Sequence, residues 1–292
     1  MNSESLTAKG TQPDTVDTAF QQTILVIGVI IFAFACRSFA HPVIRKLSLV
    51  AVLIASYLTA FFIFNSHGAG IGALLAWFFL PWIELLTRIR KLRLPIEKKM
   101  EHKMPPSSAQ FPDLNQFTRE IEDQGYEYVD DAGWEWESLE QFYRIFYKEE
   151  DKTQVSICMS RQEQIAFAYV SITSRDRESR SWRSWNYPFA YAMKLPPDLI
   201  VNRLNDASSF EDMLGRHEAF LLANNVGEEH LVGYDPEPEA AHEQIEAEVQ
   251  RQLDFNFARG IIAKVDTATF RYSWRGLFYL WGQFLKDIVK LS

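Results

Sequence analysis

The sequence predicts a chain in two parts: an anchor of three transmembrane α-helices, then a soluble α+β domain with an antiparallel sheet of about four strands and flanking helices. Three observations predict it. Three apolar segments precede residue 87, a run of bases follows them, and the remaining charge-rich polypeptide changes from helical to two-residue periodicity and back. The boundaries this implies are a short tail over 1–22, a membrane region over 23–87, a basic juxtamembrane segment and linker over 88–108, and a soluble domain over 109–292.

A helix crossing the hydrocarbon needs about 20 mostly apolar residues. Leu47 to Phe64 and Ala69 to Leu86 meet this, with Glu84 one turn before Arg88 at the edge of the second. The earliest segment, Thr23 to Cys36, reaches full length only by including Ala19, Phe20 and two glutamines, with Arg37 placed to snorkel. A cleaved signal peptide would carry a basic tail and a small-residue cleavage site. This tail is acidic and no such site stands clear, so a retained helix is the expectation.

Charge then sets the expected orientation, because Lys and Arg near membrane ends stay on the cytoplasmic side. The tail holds Lys9 against Glu4, Asp14 and Asp17, and the connection Asn65 to Gly68 has no formal charge with His67 neutral. Both belong outside. The link after the first helix carries Arg37, Arg45 and Lys46, and the stretch after the third carries seven bases between Arg88 and Lys103. Both belong inside, so the N-terminus is expected outside and the C-terminal domain in the cytoplasm. Two cysteines, Cys36 and Cys158, allow no disulfide framework and read as small buried hydrophobes.

Within the basic segment, Arg88, Arg90, Lys91, Arg93, Lys98 and Lys99 are candidates for lipid headgroups, since anionic lipid attracts juxtamembrane cations by about 1 kcal/mol each. The plainer reading is stop-transfer charge. Ile89, Leu92 and Leu94 interleave the bases, so the third helix is expected to continue until Pro95 stops it, and Pro105, Pro106, Ser107 and Ser108 form a linker. Residues 1–106 hold 11 bases and 6 acids, net +5, which leaves −13 for the rest of a chain of formal charge −8. A domain this acidic argues against nucleic-acid binding, which rests on Lys and Arg neutralising phosphates. The expected partners are the lipid bilayer and a protein, whether another chain or a second copy.

In the soluble part, Asp113 can cap a helix with apolar face Leu114, Phe117 and Ile121, ended by Gly125. Phe142 to Lys148, Thr153 to Ser160 and Gln164 to Thr173 read as an antiparallel meander, with a fourth strand over Trp182 to Tyr191 broken by Pro188. Gln164 to Thr173 is apolar on both faces and is expected to be central. A helix follows with a capping box at Ser208 and Glu211 and a stripe of Phe210, Met213, Leu214, His217, Phe220 and Leu221. The next is expected to start with Asp235 as cap and Pro236 at its first position, and to end near Gly260. Strands grouped before helices indicate α+β. The last element, Ser273 to Leu291, aligns Trp274, Leu277, Phe278, Trp281, Phe284, Leu285, Ile288 and Val289 in one stripe. It is too short and too charged to span a bilayer, and its aromatic face calls for burial on the sheet, in the membrane interface or against another protomer.

The chemistry-bearing candidates are few. Arg175, Arg177, Arg180 and Arg183 interleave with Trp182 and Trp185, a combination that can hold an anion or a stacked ring. Asp176 and Glu178 sit among them, so a solvated hairpin is the plainer account. His217, on an apolar stripe with Glu211 and Asp212 near in sequence, is either a buried base or a core histidine satisfied by hydrogen bonds. His242 and Glu246 have metal-ligand spacing, but their helix is simply acidic and no metal is expected. No phosphate-cradling glycine loop, paired-cysteine motif or serine elbow occurs in residues 107–292, and no cofactor is implied. The expectation is a multi-pass membrane protein presenting an acidic cytoplasmic α+β domain for partner or ligand binding. The competing class is a membrane-tethered enzyme with a pocket near His217 and the Arg175 to Arg183 hairpin.

Overall fold

The computed structural model describes residues 14–39, 42–162, 165–189 and 191–291. Glu4, Lys9 and Gln164 lie outside the described residues, as do the side chains of Asp14, Asp17, Arg45, Ile288, Val289 and Lys290. The chain divides into two compact units, residues 1–86 with 284–292, and residues 87–283.

The first unit is built on three long apolar helices: α1 (Asp14–Arg37), α2 (Pro42–Phe64) and α3 (His67–Glu84). The first segment, marginal by its apolar run alone, is a helix of 24 residues because the polar stretch before Thr23 continues the same helical backbone. Arg45 and Lys46 fall inside α2 instead of in a link before it. Small residues face inward, with Ala33, Ala51 and Ala55 buried, while Phe34, Ile63, Phe64 and Ile83 are more than 60% exposed. Hydroxyls fold back on their own helices, Ser56 donating to the Val52 carbonyl at 2.9 Å and Thr59 to that of Ala55 at 2.7 Å. At Gly70 an added Cβ would overlap the Tyr57 ring, so glycine there lets α2 and α3 meet closely. Tyr57 and His67 share a hydrogen bond of 2.7 Å beside that contact, and Trp77 donates to Ser56 at 3.0 Å.

After α3 the helix ends in one wide turn over Leu85–Ile89, short of Pro95. Pro95 is not the helix stop expected of it. The second unit instead takes up this segment as β1 (Leu94–Pro95) and β2 (Glu101–His102), so part of the presumed linker belongs to its sheets. There follow α4 (Leu114–Glu122), β3 (Glu127–Trp136), β4 (Leu139–Lys148), β5 (Thr153–Gln162), β6 (Ile165–Asp176), β7 (Ser181–Trp185), β8 (Leu199–Arg203), α5 (Phe210–Ala223), β9 (Leu231–Val232), α6 (Pro238–Ala258), β10 (Ile262–Lys264), β11 (Thr269–Tyr272) and α7 (Trp274–Leu291).

The large sheet has eight strands, twice the number expected, in the order β2-β3-β4-β5-β6-β7-β8 with β9 paired to β6. The meander is antiparallel through β7, and β6 is interior as its two apolar faces imply. β8 then pairs parallel to β7, which obliges the chain to cross over through residues 186–198. A second sheet has the order β1-β11-β10. β3 is a ten-residue strand despite Asp130, Asp131 and Gly133, because neighbouring strands satisfy those residues. Arg144, directly opposite on β4, grips the Asp131 carboxylate at 2.7 and 2.8 Å, and Gly133 faces the Gln141 carbonyl where a Cβ would collide.

Alternation along the strands gives the sheet two unlike faces. Phe142, Phe146, Val155, Ile157, Val170 and Ile172 point into an apolar core closed by Leu114 and Ile121 of α4 and Phe210 and Met213 of α5. The helix caps differ in register from expectation. Ser209, not Ser208, caps α5, accepting from the Asp212 backbone at 3.2 Å, while the Asp212 carboxylate accepts from the Ser208 backbone. Proline does open α6, but it is Pro238, with Asp235 accepting from the Glu237 backbone one turn earlier. Asp113 stands at the N-cap of α4 without a side-chain capping bond. Gly125 and Gly260 adopt φ of +81° and +67°, the left-handed conformation that ends α4 and α6.

Candidate functional site

The opposite face of the sheet does not close into a second dry core. On β5, Gln154, Ser156, Cys158 and Ser160 point this way, and on β6 Phe167, Tyr169, Ser171 and Thr173 do. Small hydroxyls cannot fill the depth between a sheet and a helix. Helix α6 crosses this face fastened at its two ends. Its first half packs Ala241 and Ile245 against Met100, Ala132, Trp134 and Ile145. Near its end Asn256 holds the crossover chain, accepting from the Lys194 backbone at 3.0 Å and donating to its carbonyl at 2.8 Å. Between these anchors the residues Gln244 to Gln252 roof a cavity of about 360 Å³. Its floor is β4 to β7, one side is the crossover segment with Tyr187 and Tyr191, and another is the segment after α3 with Leu94 and Lys98.

Aromatic rings stand close together at the crossover side. Tyr169 meets Tyr187 edge-on at 5.1 Å and Trp185 at 6.0 Å, and the Trp185 indole donates to the Tyr191 hydroxyl at 3.3 Å. Several polar groups are already engaged with each other. Gln141 donates to Ser160 at 2.5 Å, and Gln244 to Gln154 at 3.3 Å. The Arg183 guanidinium donates to Glu248 at 2.5 Å and to Thr173 at 3.0 Å, and Arg251 donates to Asp198 at 2.6 Å. Burial opposes the charge on Arg183, but the Glu248 carboxylate outweighs that and raises its pKa. Burial also pushes the Cys158 thiol up to about 12, which keeps it protonated and unreactive at neutral pH. Lys98 is different. Its ammonium lies 4.7 Å from the centre of the Trp134 ring, and burial lowers its pKa to about 8.

The residues singled out from the sequence do not form one site. Arg183 and Trp185 line the cavity, with Arg175 behind them 3.7 Å from Glu248. Trp182 points through the other face, buried beneath α5 with Leu221, Val226 and Leu231. Arg180 is held by Asp176, whose carboxylate also accepts from Trp182 and from the backbones of Glu178 and Arg180, and Arg177 is exposed at the tip. His217 is sealed in the core, with Ser174 at 3.1 Å from Nε2 and Ser184 at 2.9 Å from Nδ1, and burial alone lowers its pKa to about 4. A pocket combining His217 with the arginine hairpin is therefore absent among the described residues.

His242 and Glu246 turn to different partners, His242 to Asp130 at 2.9 Å and Glu246 to the Met100 backbone at 2.5 Å. No group of three or more metal-ligating side chains converges among the described residues. Of the six bases assigned to headgroups, Lys98 lines the cavity and Arg90 lies over Trp274 at 4.2 Å, while Arg88, Lys91, Arg93 and Lys99 are exposed. The cavity residues Gln154, Ser156, Cys158, Ser160 and Ser171 were missed because no spacing marks them. Their one signal is a strand whose second face is small and polar yet not charged. Comparison of the chain with protein-family models, with curated proteins and with solved structures finds no match.

Proposed function

We propose that this is a multi-pass membrane protein whose cytoplasmic domain binds a small ligand in the cavity beneath α6. The observation that carries the reading is a roofed cavity of about 360 Å³ with an aromatic wall and a hydroxyl-rich floor, within the ordinary ~300–1,000 Å³ range of small-molecule sites. The membrane half of the reading is supported by helical stretches of 20, 19 and 23 residues at Thr18–Arg37, Lys46–Phe64 and His67–Ile89, with large apolar side chains facing outward. Bases after the first and third of these favour an N-terminus outside and the α+β domain inside.

The enzyme alternative has less support, since His217 is enclosed and Cys158 is held as a neutral thiol. Saturation-transfer NMR of the full-length chain in lipid nanodiscs against a library of ring-bearing fragments tests the ligand reading. Fragments that bind, lose binding in Ser171→Trp or Thr173→Met, and keep it in Leu222→Ser on the exposed side of α5 support it. Binding indifferent to the two cavity substitutions overturns it. Protection of a tag fused after Ser292 from protease added to intact cells tests the orientation, and digestion of that tag overturns it.

A further inference from the structure

We propose that the cavity takes a ring-bearing monoanion, an aromatic carboxylate being the simplest member of the class, with its charge met by Lys98. This rests on the cavity's being a ligand site and adds the chemistry of the ligand. The argument is one of charge pairing. Five fully charged side chains line the cavity, three bases and two acids. Arg183 is matched by Glu248 at 2.5 Å and Arg251 by Asp198 at 2.6 Å, which leaves Lys98. Among the described residues no carboxylate stands within ion-pair distance of its ammonium. The Trp134 face supplies the available compensation, and a cation over a ring is worth far less than an ion pair with hydrogen bonds.

On its other side Lys98 borders a hollow along β2 that carries Glu97, Glu101, His102, Lys103 and Glu135. Lys103 holds Glu135 at 2.5 Å and Glu140 at 2.7 Å, and Asp130 holds His102 at 2.8 Å, while Glu97 and Glu101 are exposed to solvent and form no ion pair with Lys98. A half-buried ammonium without a carboxylate partner is costly, and an anion delivered to it recovers part of that cost. A second negative charge would find Arg183 and Arg251 already engaged, which restricts the ligand to one. The walls set the remainder. Tyr169, Trp185, Tyr187 and Tyr191 present rings to stack against, and Ser156 and Ser171 offer hydroxyls without charge. Because Lys98 lies in the segment that follows α3, the proposed ligand would tie that segment to the sheet floor.

The test uses the full-length chain in nanodiscs of zwitterionic lipid, titrated with three matched pairs: benzoate and benzamide, 2-naphthoate and 2-naphthamide, 4-phenylbutyrate and its amide. At pH 7 at least one acid is expected to bind tenfold or more tightly than its amide. That advantage should disappear in Lys98→Met, and at pH 9.5, where the amine has lost its proton, but persist at both pH values in Lys98→Arg. Should Lys98→Met fold poorly, the NMR signal of 13C-dimethylated Lys98 reads the same contact in the wild type, shifting with the acid and not with the amide. Acid and amide binding equally, both abolished by Ser171→Trp, would overturn the anion and leave the ligand site standing. Binding of either that survives Ser171→Trp would overturn the ligand site itself, and no acid of the set binding would overturn the anion assignment.

Discussion

On β5, Val155, Ile157 and Met159 enter a dry core under α4 and α5, whereas Gln154, Ser156, Cys158 and Ser160 of the same strand face the cavity under α6. Both sets are buried, Ile157 completely and Ser160 to within 8% exposure. The difference is in what burial accomplishes. On the first face large apolar side chains remove area from water and interlock with two helices, which is how a sheet acquires stability. On the second face the side chains other than Gln154, which meets Gln244 of α6, are too small to reach the helix, and they gain little from being covered. A face built this way contributes little to folding, and its composition accords with the proposal that a ligand occupies the space above it.

Substitutions on the two faces can break or sharpen this contrast. The largest effect is expected from Phe146→Ala in the dry core, a loss of about 3–5 kcal/mol, read as the shift in pulse-proteolysis midpoint with denaturant for the full chain in nanodiscs. A loss under about 1 kcal/mol would mean that this face is not tightly packed.

Next comes pH. The His217 pKa is held at about 4 in the folded chain against about 6.5 unfolded, so the unfolded chain takes up the proton first as pH falls. Stability is therefore complete above pH 6.5 and declines toward pH 4, by about 3 kcal/mol from this residue. The same midpoints measured at pH 7 and 4.5 should converge for His217→Gln relative to the wild type; an unchanged difference would place the imidazole outside the closed core.

The smallest effect belongs to Ser156→Val on the cavity face, a change under about 1 kcal/mol in either direction, because the added methyl meets open space. A loss above about 2 kcal/mol would show the two faces to be packed alike.

Much of this architecture is legible in the chain. Periodicity alone marks the apolar helices, the stripe of α5 with His217 on it, and the central position of β6. β3 is illegible because Asp130, Asp131 and Gly133 look like turn residues until Arg144, His102 and His242 are brought beside the two carboxylates from elsewhere in the sequence. β1 and β8 are short and depend on partners far away, Leu94 facing Phe270 and Leu199 facing Ser181. The hairpin arginines were grouped by proximity in sequence, but a strand sends Trp182 and Arg183 to opposite faces, so the cluster splits. Along the stripe of α7 Leu277 is buried while Trp274 and Phe278 are 54% and 58% exposed, so burial on the domain accounts for only part of a face that the sequence assigned to the sheet, the membrane interface or another protomer.

The pairing of β1 with β11 has a consequence for how the protein is made. Residues 127–185 supply five successive antiparallel neighbours, a hairpin series that can zip up as it leaves the ribosome. Leu94 and Pro95 emerge before any of it, but their partners, Phe270 and Thr269, arrive about 175 residues later, together with the helix that roofs the floor of serines and tyrosines. The roof follows the meander sooner, since β7 ends at Trp185 and α6 at Ala258, and at roughly 5–20 residues per second that gap is on the order of 4 to 15 seconds during which a nascent chain carries the meander with one side uncovered. A ribosome stalled in that interval would present a strand meander whose serine and tyrosine face lacks its covering helix.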